Sequence, residues 1–460
     1  MAQNNQDPFF VWIRSMGAMR MCVQIGGDLM ASIWLEDVTL PQFPSWNGDK
    51  KTDVLIVGGG MAGLLCAYFL QEAGVDYMLV EGRRICGGVT AGTTAKITAQ
   101  HGLCYQKLLK HAGYEQAKMY LDINCHAVQR YREIGSSFDC DFEEKTSYIY
   151  TTDHPKKLEQ EERALLQLGY HPTLTDAKEL PIPTAGAIGF LRQAQFHPLK
   201  FAAQIAKGLH IYENTFVQKW KDHTAVCEQG TIAFRKAIFA SHFPIVNTHG
   251  MYFLKMYQSR SYVAALANGE TLDGMYMDEN KNGFSFRSYK NDLLVGGGAH
   301  RTGKCRGRRE HLLEFVQTHY PKPHIRFVWA AQDCMTLDGI PYIGPYAKHM
   351  PDCYAATGFH KWGMTSSMVS AMILTDLVME KQNPYAVVFS PSRSMIKPQL
   401  LVNGWEAAVH LLLPAKKRCP HLGCGLKWNR VEESWDCPCH GSRFDKNGKL
   451  LNNPANGNLK

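Results

Sequence analysis

The segment Thr52-Asp53-Val54-Leu55-Ile56-Val57-Gly58-Gly59-Gly60-Met61-Ala62-Gly63 decides the fold of this chain of 460 residues. Its apolar first half predicts a buried strand, and Leu64 to Leu70 follow the glycines at helical spacing. A second strand, Tyr77 to Val80, ends in Glu81. A G-x-G-x-x-G pattern alone is weak evidence, and a glycine-rich turn without a ligand is the alternative. Strand, glycines, helix, strand and terminal acid within about 30 residues favour a dinucleotide-binding fingerprint.

Each part of this fingerprint has a physical task. Gly58 permits the tight turn, Gly60 lets the backbone approach a pyrophosphate, and Gly63 lets helix and strand pack closely. The helix N-terminus adds free N–H groups and partial positive charge, and Glu81 would accept the ribose hydroxyls. We therefore assign to cofactor binding Gly58, Gly60, Met61, Ala62, Gly63, Glu81, Gly82 and Arg83.

A second motif lies near the C-terminus, where Cys419-Pro420-His421-Leu422-Gly423-Cys424 is followed by Cys437-Pro438-Cys439-His440-Gly441-Ser442. A [2Fe–2S] cluster with two thiolate and two imidazole ligands needs one Cys and one His from each of two loops. The ligands would be Cys419, His421, Cys437 and His440. A Cys2His2 zinc site is the alternative, since zinc accepts the same ligands, but Cys-x-His is an awkward pair for a zinc knuckle.

The flanking Gly, Pro and second Cys of each loop make the motif resemble that of Rieske iron-sulfur proteins. In Rieske proteins of the respiratory-complex type, a disulfide ties the two loops together. The resemblance implies such a bridge between Cys424 and Cys439.

Two later segments also resemble a known family. Residues 335 to 344 read Met-Thr-Leu-Asp-Gly-Ile-Pro-Tyr-Ile-Gly, and residues 354 to 365 read Tyr-Ala-Ala-Thr-Gly-Phe-His-Lys-Trp-Gly-Met-Thr, before a helical run to Met379. This pairing is similar to that of the D-amino-acid oxidase, glycine oxidase and sarcosine oxidase superfamily, over about Thr52 to Val388. Together with the C-terminal motif, the whole chain resembles bacterial FAD-dependent oxidoreductases of that superfamily with a C-terminal Rieske domain.

The superfamily resemblance implies FAD rather than NAD, and it extends the cofactor site. The second segment would return to the flavin, and the path after Glu81 would run beside the pyrophosphate and the ring. The additional cofactor-binding residues would be Thr93, Thr94, Val217, Gly358, Gly363, Met364 and Thr365. No His or Cys on this path has the context of a covalent flavin attachment, so we expect FAD to be noncovalent.

The expected fold is α/β, with a Rossmann-type FAD-binding domain, an inserted antiparallel-sheet substrate domain and a small Rieske module. We expect a disordered extension over 1–29, a leader over 30–50, and the FAD-binding domain over 51–390 with insertions at about 138–195 and 245–330. A linker or docking segment would cover 391–415. The cluster module, 416–460, is so short that its order should depend on the cluster and on packing against the FAD domain.

Three residues are candidates for catalysis. Lys96 could sit near flavin N5 or N1, where a cation would stabilise the reduced flavin, or it could pair with a phosphate or a surface carboxylate. Asp333 occupies a position where amino-acid oxidases of the family often carry a carboxylate-binding Arg. An acid there would attract an ammonium, although a structural cap is the equal alternative. His300 is placed by analogy, together with Arg260, Tyr262, Arg287 and Tyr289.

Composition limits the partners. The net charge is +8, but 50 basic and 42 acidic residues are spread along the chain, so nothing supports a nucleic-acid surface. Most of the 14 cysteines are scattered on apolar segments, as in reduced thiols of a cytoplasmic protein. The apolar residues 8–35 are interrupted by Arg14, Arg20 and Asp28, and no run reaches the roughly 20 residues of a membrane span.

The sequence therefore predicts an FAD-dependent dehydrogenase acting on a small amine or amino-acid-like substrate. Electrons would pass singly through the cluster to an unidentified acceptor protein, or inward from a donor. An oxygen-using amine oxidase with a structural cluster, and a flavin and cluster redox sensor, are the alternatives.

Overall fold

A computed structural model of the chain describes residues 32–246, 249–304 and 307–459. The extension expected over 1–29 lies outside these residues. In the described part of the chain, no helix is both long and apolar enough to cross a membrane.

The described residues form ten α-helices, twenty-one strands and a short 3-10 helix, Ile33–Leu35. The helices are α1 Met61–Glu72, α2 Val89–Gly92, α3 Tyr105–Gly135, α4 Pro155–Gln167, α5 Pro198–Ile205, α6 Tyr252–Lys255, α7 Arg308–His319, α8 Gly363–Val378, α9 Ala386–Phe389 and α10 Pro398–Leu412. The strands are β1 Lys50–Val57, β2 Tyr77–Val80, β3 Lys96–Ile97, β4 Glu143–Thr151, β5 Thr173–Thr175, β6 Gly186–Gln195, β7 Ile211–Tyr212, β8 Val217–Lys221, β9 Thr224–Cys227, β10 Gly230–Phe239, β11 Met256–Ala267, β12 Gly274–Asp278, β13 Ser285–Tyr289, β14 Asp292–Arg301, β15 Ile325–Thr336, β16 Tyr342–Ala347, β17 Met350–Thr357, β18 Lys427–Asn429, β19 Ser434–Asp436, β20 Arg443–Asp445 and β21 Leu450–Asn452.

The fingerprint lies in an eight-stranded sheet, which we call the nucleotide sheet. Its main order is β16-β17-β10-β1-β2-β7, and β8 and β9 extend it as a hairpin from β10. The strands β17, β10, β1, β2 and β7 run parallel. Parallel strands are buried on both faces and need apolar residues throughout, which explains why Val54 to Val57 and Tyr77 to Val80 are continuous apolar runs. The Rossmann-type expectation is confirmed here.

A nine-stranded, largely antiparallel sheet packs beside it, and we call it the roof sheet. Its order is β15-β11-β14-β13-β12-β4-β6-β3, with β5 on β6. Only the β12 and β4 pair is parallel among the register pairs of this sheet. The strands come mainly from 143–195 and 256–336, so the sheet runs slightly beyond the expected insertion at 245–330.

The C-terminal module, residues 414–459, is a four-stranded antiparallel sheet in the order β18-β19-β20-β21. It has a small core of its own, which includes Cys419, Cys437, Leu426 and Phe444. The preceding residues, expected as a linker or docking segment, contain helix α10. A module with so small a core depends on contacts with the rest of the chain.

Candidate active site and cluster site

The fingerprint turn is shaped by glycines that leave no room for a side chain. A Cβ on Gly63 would lie 1.9 Å from the carbonyl oxygen of Gly58, and one on Gly58 would lie 2.6 Å from the carbonyl oxygen of Ala240. Gly58 also has φ +112°, a conformation that L side chains rarely adopt. A Cβ on Gly60 would meet only Thr90 Oγ1, at 3.4 Å. The backbone at Gly60 is thus open to the adjacent cavity, as close approach of a pyrophosphate requires.

Glu81 at the end of β2 organises the turn as well as facing the cavity. Its carboxylate accepts hydrogen bonds from the backbone N–H of Gly59 at 2.8 Å and of Arg83 at 2.9 Å. Burial raises the pKa of Glu81, although these two hydrogen bonds oppose the shift. One carboxylate therefore holds both sides of the nucleotide turn in place and keeps free lone pairs for ribose hydroxyls.

One large cavity, with a volume of about 1600 Å³, begins at this turn and extends below the roof sheet. Most of the predicted cofactor residues line it, namely Gly58, Gly60, Met61, Ala62, Glu81, Gly82, Arg83, Thr93, Thr94, Val217, Gly363 and Met364. Its size and glycine-lined end fit a dinucleotide, which the chain would hold through these residues.

Three predicted cofactor residues, Gly63, Gly358 and Thr365, lie outside the lining of this cavity. The Thr365 hydroxyl donates to the carbonyl oxygen of Thr98 at 2.8 Å and accepts from its N–H at 3.1 Å. A Cβ on Gly358, which has φ +72°, would lie 2.3 Å from Thr336 Cγ2. These residues hold the segments around the cavity together and do not face its interior.

The side chain of Arg83 differs from the expectation. Its guanidinium donates to the carbonyl oxygens of Leu450 at 2.9 Å and Leu451 at 2.8 Å, in the C-terminal module. Its role in cofactor binding stays a prediction, supported by its position in the cavity lining. Sequence reasoning missed these contacts because Arg83 is more than 360 positions from Leu450 and Leu451 in the chain.

Asp333 lines the cavity, and sequence reasoning missed its neighbour Lys361. Burial raises the pKa of Asp333 to about 6, with the Lys361 charge acting in the opposite direction. His360 and Lys361 both have positive φ, 52° and 72°, a costly conformation for residues with side chains. The sequence motif at 354–365 indicated this turn, but it did not indicate that Lys361 would lie beside Asp333.

The other two catalytic candidates occupy different surroundings. His300 lines the cavity, and its Nδ1 lies 2.9 Å from the carbonyl oxygen of Gly298, while its Nε2 has no partner among the described residues. Lys96 is outside the lining, and its Nζ is buried with no partner among the residues described. Burial and the Arg287 charge lower the pKa of Lys96 to about 7. The pairing of Lys96 with a carboxylate, one of its two expected roles, is not found in the described structure.

The remaining analogy-based candidates mostly contact protein groups. Arg287 is fully buried and donates to the carbonyl oxygens of Thr94 and Ala95. The Tyr289 hydroxyl donates to Asp141 at 2.7 Å. Arg260 and Tyr262 both bind Glu432 of the C-terminal module. Tyr262 also lines the cavity, whereas Arg260 points away from it, so the expected place of Arg260 in the substrate pocket is wrong.

The two cluster loops are built alike. In the first, Cys419 N–H donates to the carbonyl of Cys424 at 2.8 Å and Gly423 N–H donates to the carbonyl of Cys419 at 2.9 Å. In the second, Cys437 N–H donates to the carbonyl of Ser442 at 2.8 Å, and Gly441 N–H donates to that of Cys437 at 2.9 Å. Gly423 and Gly441 have φ of +79° and +91°, which explains the glycine at the fifth position of each loop.

The loops bring the four predicted ligands together. His421 Nδ1 and His440 Nδ1 lie 3.3 Å apart, so both imidazoles present the same nitrogen to one point. The contact with Cys419, and then with Cys424 and Cys439, holds the pKa of the Cys437 thiol well below its usual range. Two thiols and two imidazoles on facing loops fit a mixed-ligand cluster.

Cys424 and Cys439, the pair implied to form a disulfide, are both free thiols in this structure. Their sulfur atoms and that of Cys437 all lie within 4.8 Å of one another. The bridge therefore stays a prediction, made between residues that the fold brings close together.

The second loop docks onto three strands of the roof sheet. Gln258 of β11 donates to the carbonyl of His440 at 2.8 Å, and Gln332 of β15 donates to that of Gly441 at 2.8 Å. Arg301 of β14 donates to the carbonyls of Pro438 at 2.7 Å and Cys439 at 2.9 Å. These contacts to the loop come from the roof sheet, and the module also contacts the nucleotide-binding part, as expected, through Arg83 and through Asn453, which donates to the carbonyls of Ser241 and Phe243.

A buried charge network reinforces this docking. Glu432 receives Arg260 from the roof sheet and Arg443 Nη2, at 2.8 Å, from its own module. Arg443 also binds Asp436, at 2.9 Å. Burial alone would raise the pKa of Glu432, but the Arg260 and Arg443 guanidinium groups outweigh it and hold the pKa at about 2.

Comparisons with known proteins agree with this geometry. The family model described as "FAD dependent oxidoreductase" (DAO) matches residues 53–377, and the model "Rieske [2Fe-2S] domain" matches residues 403–460. The chain is 33% identical to the putative Rieske 2Fe-2S iron-sulfur protein YhfW of Bacillus subtilis, over 93% of this chain and 96% of that protein.

Solved structures share the fold of the larger part. L-proline dehydrogenase from P. horikoshii superposes with a TM-score of 0.63 at 16% identity, covering 75% of this chain and 98% of that one. Glycine oxidase from Geobacillus kaustophilus gives 0.60 at 20% identity, covering 75% and 99%. The FAD-type cavity, the paired Cys and His loops and these matches lead to one assignment: the chain belongs to the DAO family of FAD-dependent oxidoreductases and carries a C-terminal Rieske [2Fe-2S] domain.

Proposed function

We propose that the protein is a dehydrogenase for a small amino-acid-like amine and that its electrons leave through the cluster. The observation that carries this proposal is that strands of the roof sheet which line the large cavity also hold the cluster loop.

Alternation along β11 and β15 gives neighbouring residues these two roles, because successive side chains of a strand point to opposite faces. Tyr257, Ser259 and Asp333 line the cavity. Gln258 and Gln332, their neighbours in sequence, hold the cluster loop on the other face. Arg301 of β14 lines the cavity and also donates to the carbonyls of Pro438 and Cys439 in the loop, so the cavity and the cluster site share one set of supporting strands.

The substrate end of the cavity carries both signs of charge. Asp333 would hold a substrate ammonium, and Lys361 would hold a carboxylate. With a pKa of about 6, the Asp333 carboxyl is mostly ionised above neutral pH. Burial lowers the pKa of Lys361, and Asp333 opposes that shift, so the two charges support one another. The pair favours a zwitterionic amino acid over the simple cationic amine that Asp333 alone had suggested.

When bound, FAD would accept a hydride from the carbon next to the substrate nitrogen, which would lose a proton to leave an imine, and the cluster would pass the two electrons on one at a time. The chain's own residues would position the substrate at Asp333 and Lys361, and Gln258, Gln332 and Arg301 hold the cluster loop by its backbone carbonyls.

Anaerobic stopped-flow mixing with a panel of amino acids tests the substrate end. We expect bleaching of the flavin followed by bleaching of the cluster. Asp333→Asn and Lys361→Met should each raise KM for the active substrate at least about tenfold, the loss expected for one charge-assisted contact. The matched control is Lys207→Met, which replaces an exposed lysine outside the cavity lining and should leave KM unchanged. Unaltered kinetics in both cavity variants would rule out this substrate site.

Cys437→Ser tests the electron route separately. Substrate should still reduce the flavin, while transfer to a one-electron acceptor is lost. If this variant passes electrons at the wild-type rate, or if the wild type reoxidises rapidly in air, the oxygen-using oxidase becomes the better description.

A further inference from the structure

Helix α10 exposes its apolar face to solvent, whereas an ordinary surface helix buries it. Residues 401, 405, 408 and 412 recur at helical spacing and form one stripe, Leu401, Trp405, Ala408 and Leu412. Leu401 is 77% exposed, Trp405 is 71% exposed and Leu412 is 83% exposed. A surface helix normally turns such a stripe toward the core.

The polar residues of α10 face the protein instead. Asn403 is buried, donates to the carbonyl of Leu254 at 3.1 Å and accepts from Arg301 at 3.0 Å. Glu406 pairs with Lys304, and the carbonyl oxygen of His410 accepts from Gly425 N–H at 2.7 Å. Specific polar contacts thus fix the rotation of the helix and hold the apolar stripe outward.

Exposed apolar side chains continue beyond the helix. Ile396 precedes it, Leu413 follows it, and Leu422 lies next to the predicted ligand His421; all three are exposed. The apolar surface therefore reaches the first cluster loop. Contiguous exposed apolar patches of this kind mark interaction sites.

The charged residues around the stripe are almost all basic. Residues 396–431 contain six basic residues and a single acid, Glu406, which lies on the inward face and is paired. Lys397 caps the start of the helix, and Lys416, Lys417 and Arg418 follow its end. Arg418 Nη1 donates to the carbonyl of Leu411 at 3.0 Å, which keeps this positive charge at the C-terminal end of the helix.

We infer that α10 and its basic flanks bind the surface of an anionic lipid membrane, with the apolar stripe in the headgroup region. A convex ridge of Leu and Trp with Lys and Arg beside it fits a lipid interface better than a protein groove. Anionic lipids supply the complementary charge. At 15 residues, α10 is too short to span the bilayer and would lie in its plane. The cluster loop that contacts His410 would then lie close to the lipid surface.

The test uses the full-length holoprotein and vesicles of phosphatidylglycerol and phosphatidylcholine. In co-sedimentation, the wild type should bind anionic vesicles, bind pure phosphatidylcholine weakly, and lose binding as salt is raised. The triple variant Leu401→Gln, Trp405→Gln and Leu412→Gln should lower the partition coefficient more than about tenfold, since each side chain loses its apolar burial. Flavin and cluster spectra should be unchanged.

A matched control replaces three other exposed leucines, Leu166→Gln, Leu174→Gln and Leu191→Gln, and should bind vesicles like the wild type. Trp405→Phe should keep binding but lose most of the tryptophan quenching by brominated lipid. Absence of vesicle binding would overturn the inference, as would binding with equal quenching in the wild type and Trp405→Phe. A wild-type dimer that the triple variant makes monomeric would also overturn it, because a second copy would then cover the stripe.

Discussion

The fingerprint turn and the C-terminal module are both cofactor sites, yet they are held in place by opposite means. At the turn, backbone hydrogen bonds, apolar strands and glycine contacts such as Gly63 to Gly58 come mostly from neighbouring chain. The module relies on the charged side chains of Arg260, Glu432 and Arg443 and on glutamines from distant strands. Close packing makes the first site sensitive to added volume, whereas the second is sensitive to unpaired charge.

Glu432→Gln should produce the largest effect. It leaves the buried Arg260 without a carboxylate, and breaking a buried ion pair on one side costs about 3–5 kcal/mol. In denaturant titrations, the cluster absorbance should change at a lower concentration than in the wild type, while the flavin signal stays in place.

The control for this experiment is Glu433→Gln, which removes the partner of the exposed Lys446 in the same module and should cost about 0–1 kcal/mol. A parallel shift of the flavin and cluster transitions in Glu432→Gln would show that the two regions are a single cooperative unit, contrary to the comparison.

Gly63→Ala should have the next largest effect, and on the other region. Its Cβ would be placed 1.9 Å from a backbone oxygen that cannot move alone, and overpacking typically costs about 1–3 kcal/mol. We expect the purified variant to contain little FAD and to keep the cluster spectrum. Gly404→Ala, where nothing lies within 4 Å of the added Cβ, is the control and should retain both cofactors. Normal FAD content in Gly63→Ala would contradict the observed turn geometry.

Lowering the pH should have the smallest effect, and it should act on the C-terminal module through Glu432. Because the pKa of Glu432 is about 2 in the folded chain and 4.5 is its ordinary value, the unfolded chain takes up a proton first as pH falls. The stabilisation by Glu432 is fully present above about pH 4.5 and is lost as pH falls from there toward 2. Between pH 5 and 3.5, the difference in unfolding free energy between wild type and Glu432→Gln should shrink by about 1 kcal/mol. A constant or growing difference would disprove the low pKa.

Features that depend on short stretches of chain could be predicted from the sequence. The order of strand, glycines, helix, strand and acid lies within one short stretch of chain. The glycine at the fifth position of each cluster loop is required by the local backbone conformation. The residues Gly58, Gly60 and Glu81 accordingly line the cavity where the fingerprint placed them.

Side-chain partners from distant segments could not be predicted. Lys361 beside Asp333, Leu450 and Leu451 beside Arg83, and Glu432 beside Arg260 each join segments far apart in the chain. Arg260 was expected in the substrate pocket by analogy with the superfamily, but successive side chains of a strand point to opposite faces. Only its pairing with β14 and β15 sets which face meets the cavity.

The sequence by itself indicated the α/β class and a cluster motif, because each rests on backbone conformation or ligand chemistry within a few residues, and the family resemblance of its later segments indicated FAD. The tertiary structure alone decided that β11, β14 and β15 serve both the cavity and the cluster loop, and that α10 turns its apolar stripe outward. Both depend on how strands and helices from distant parts of the chain pack. The free energy of those contacts is shared among many partners, and no single segment encodes it.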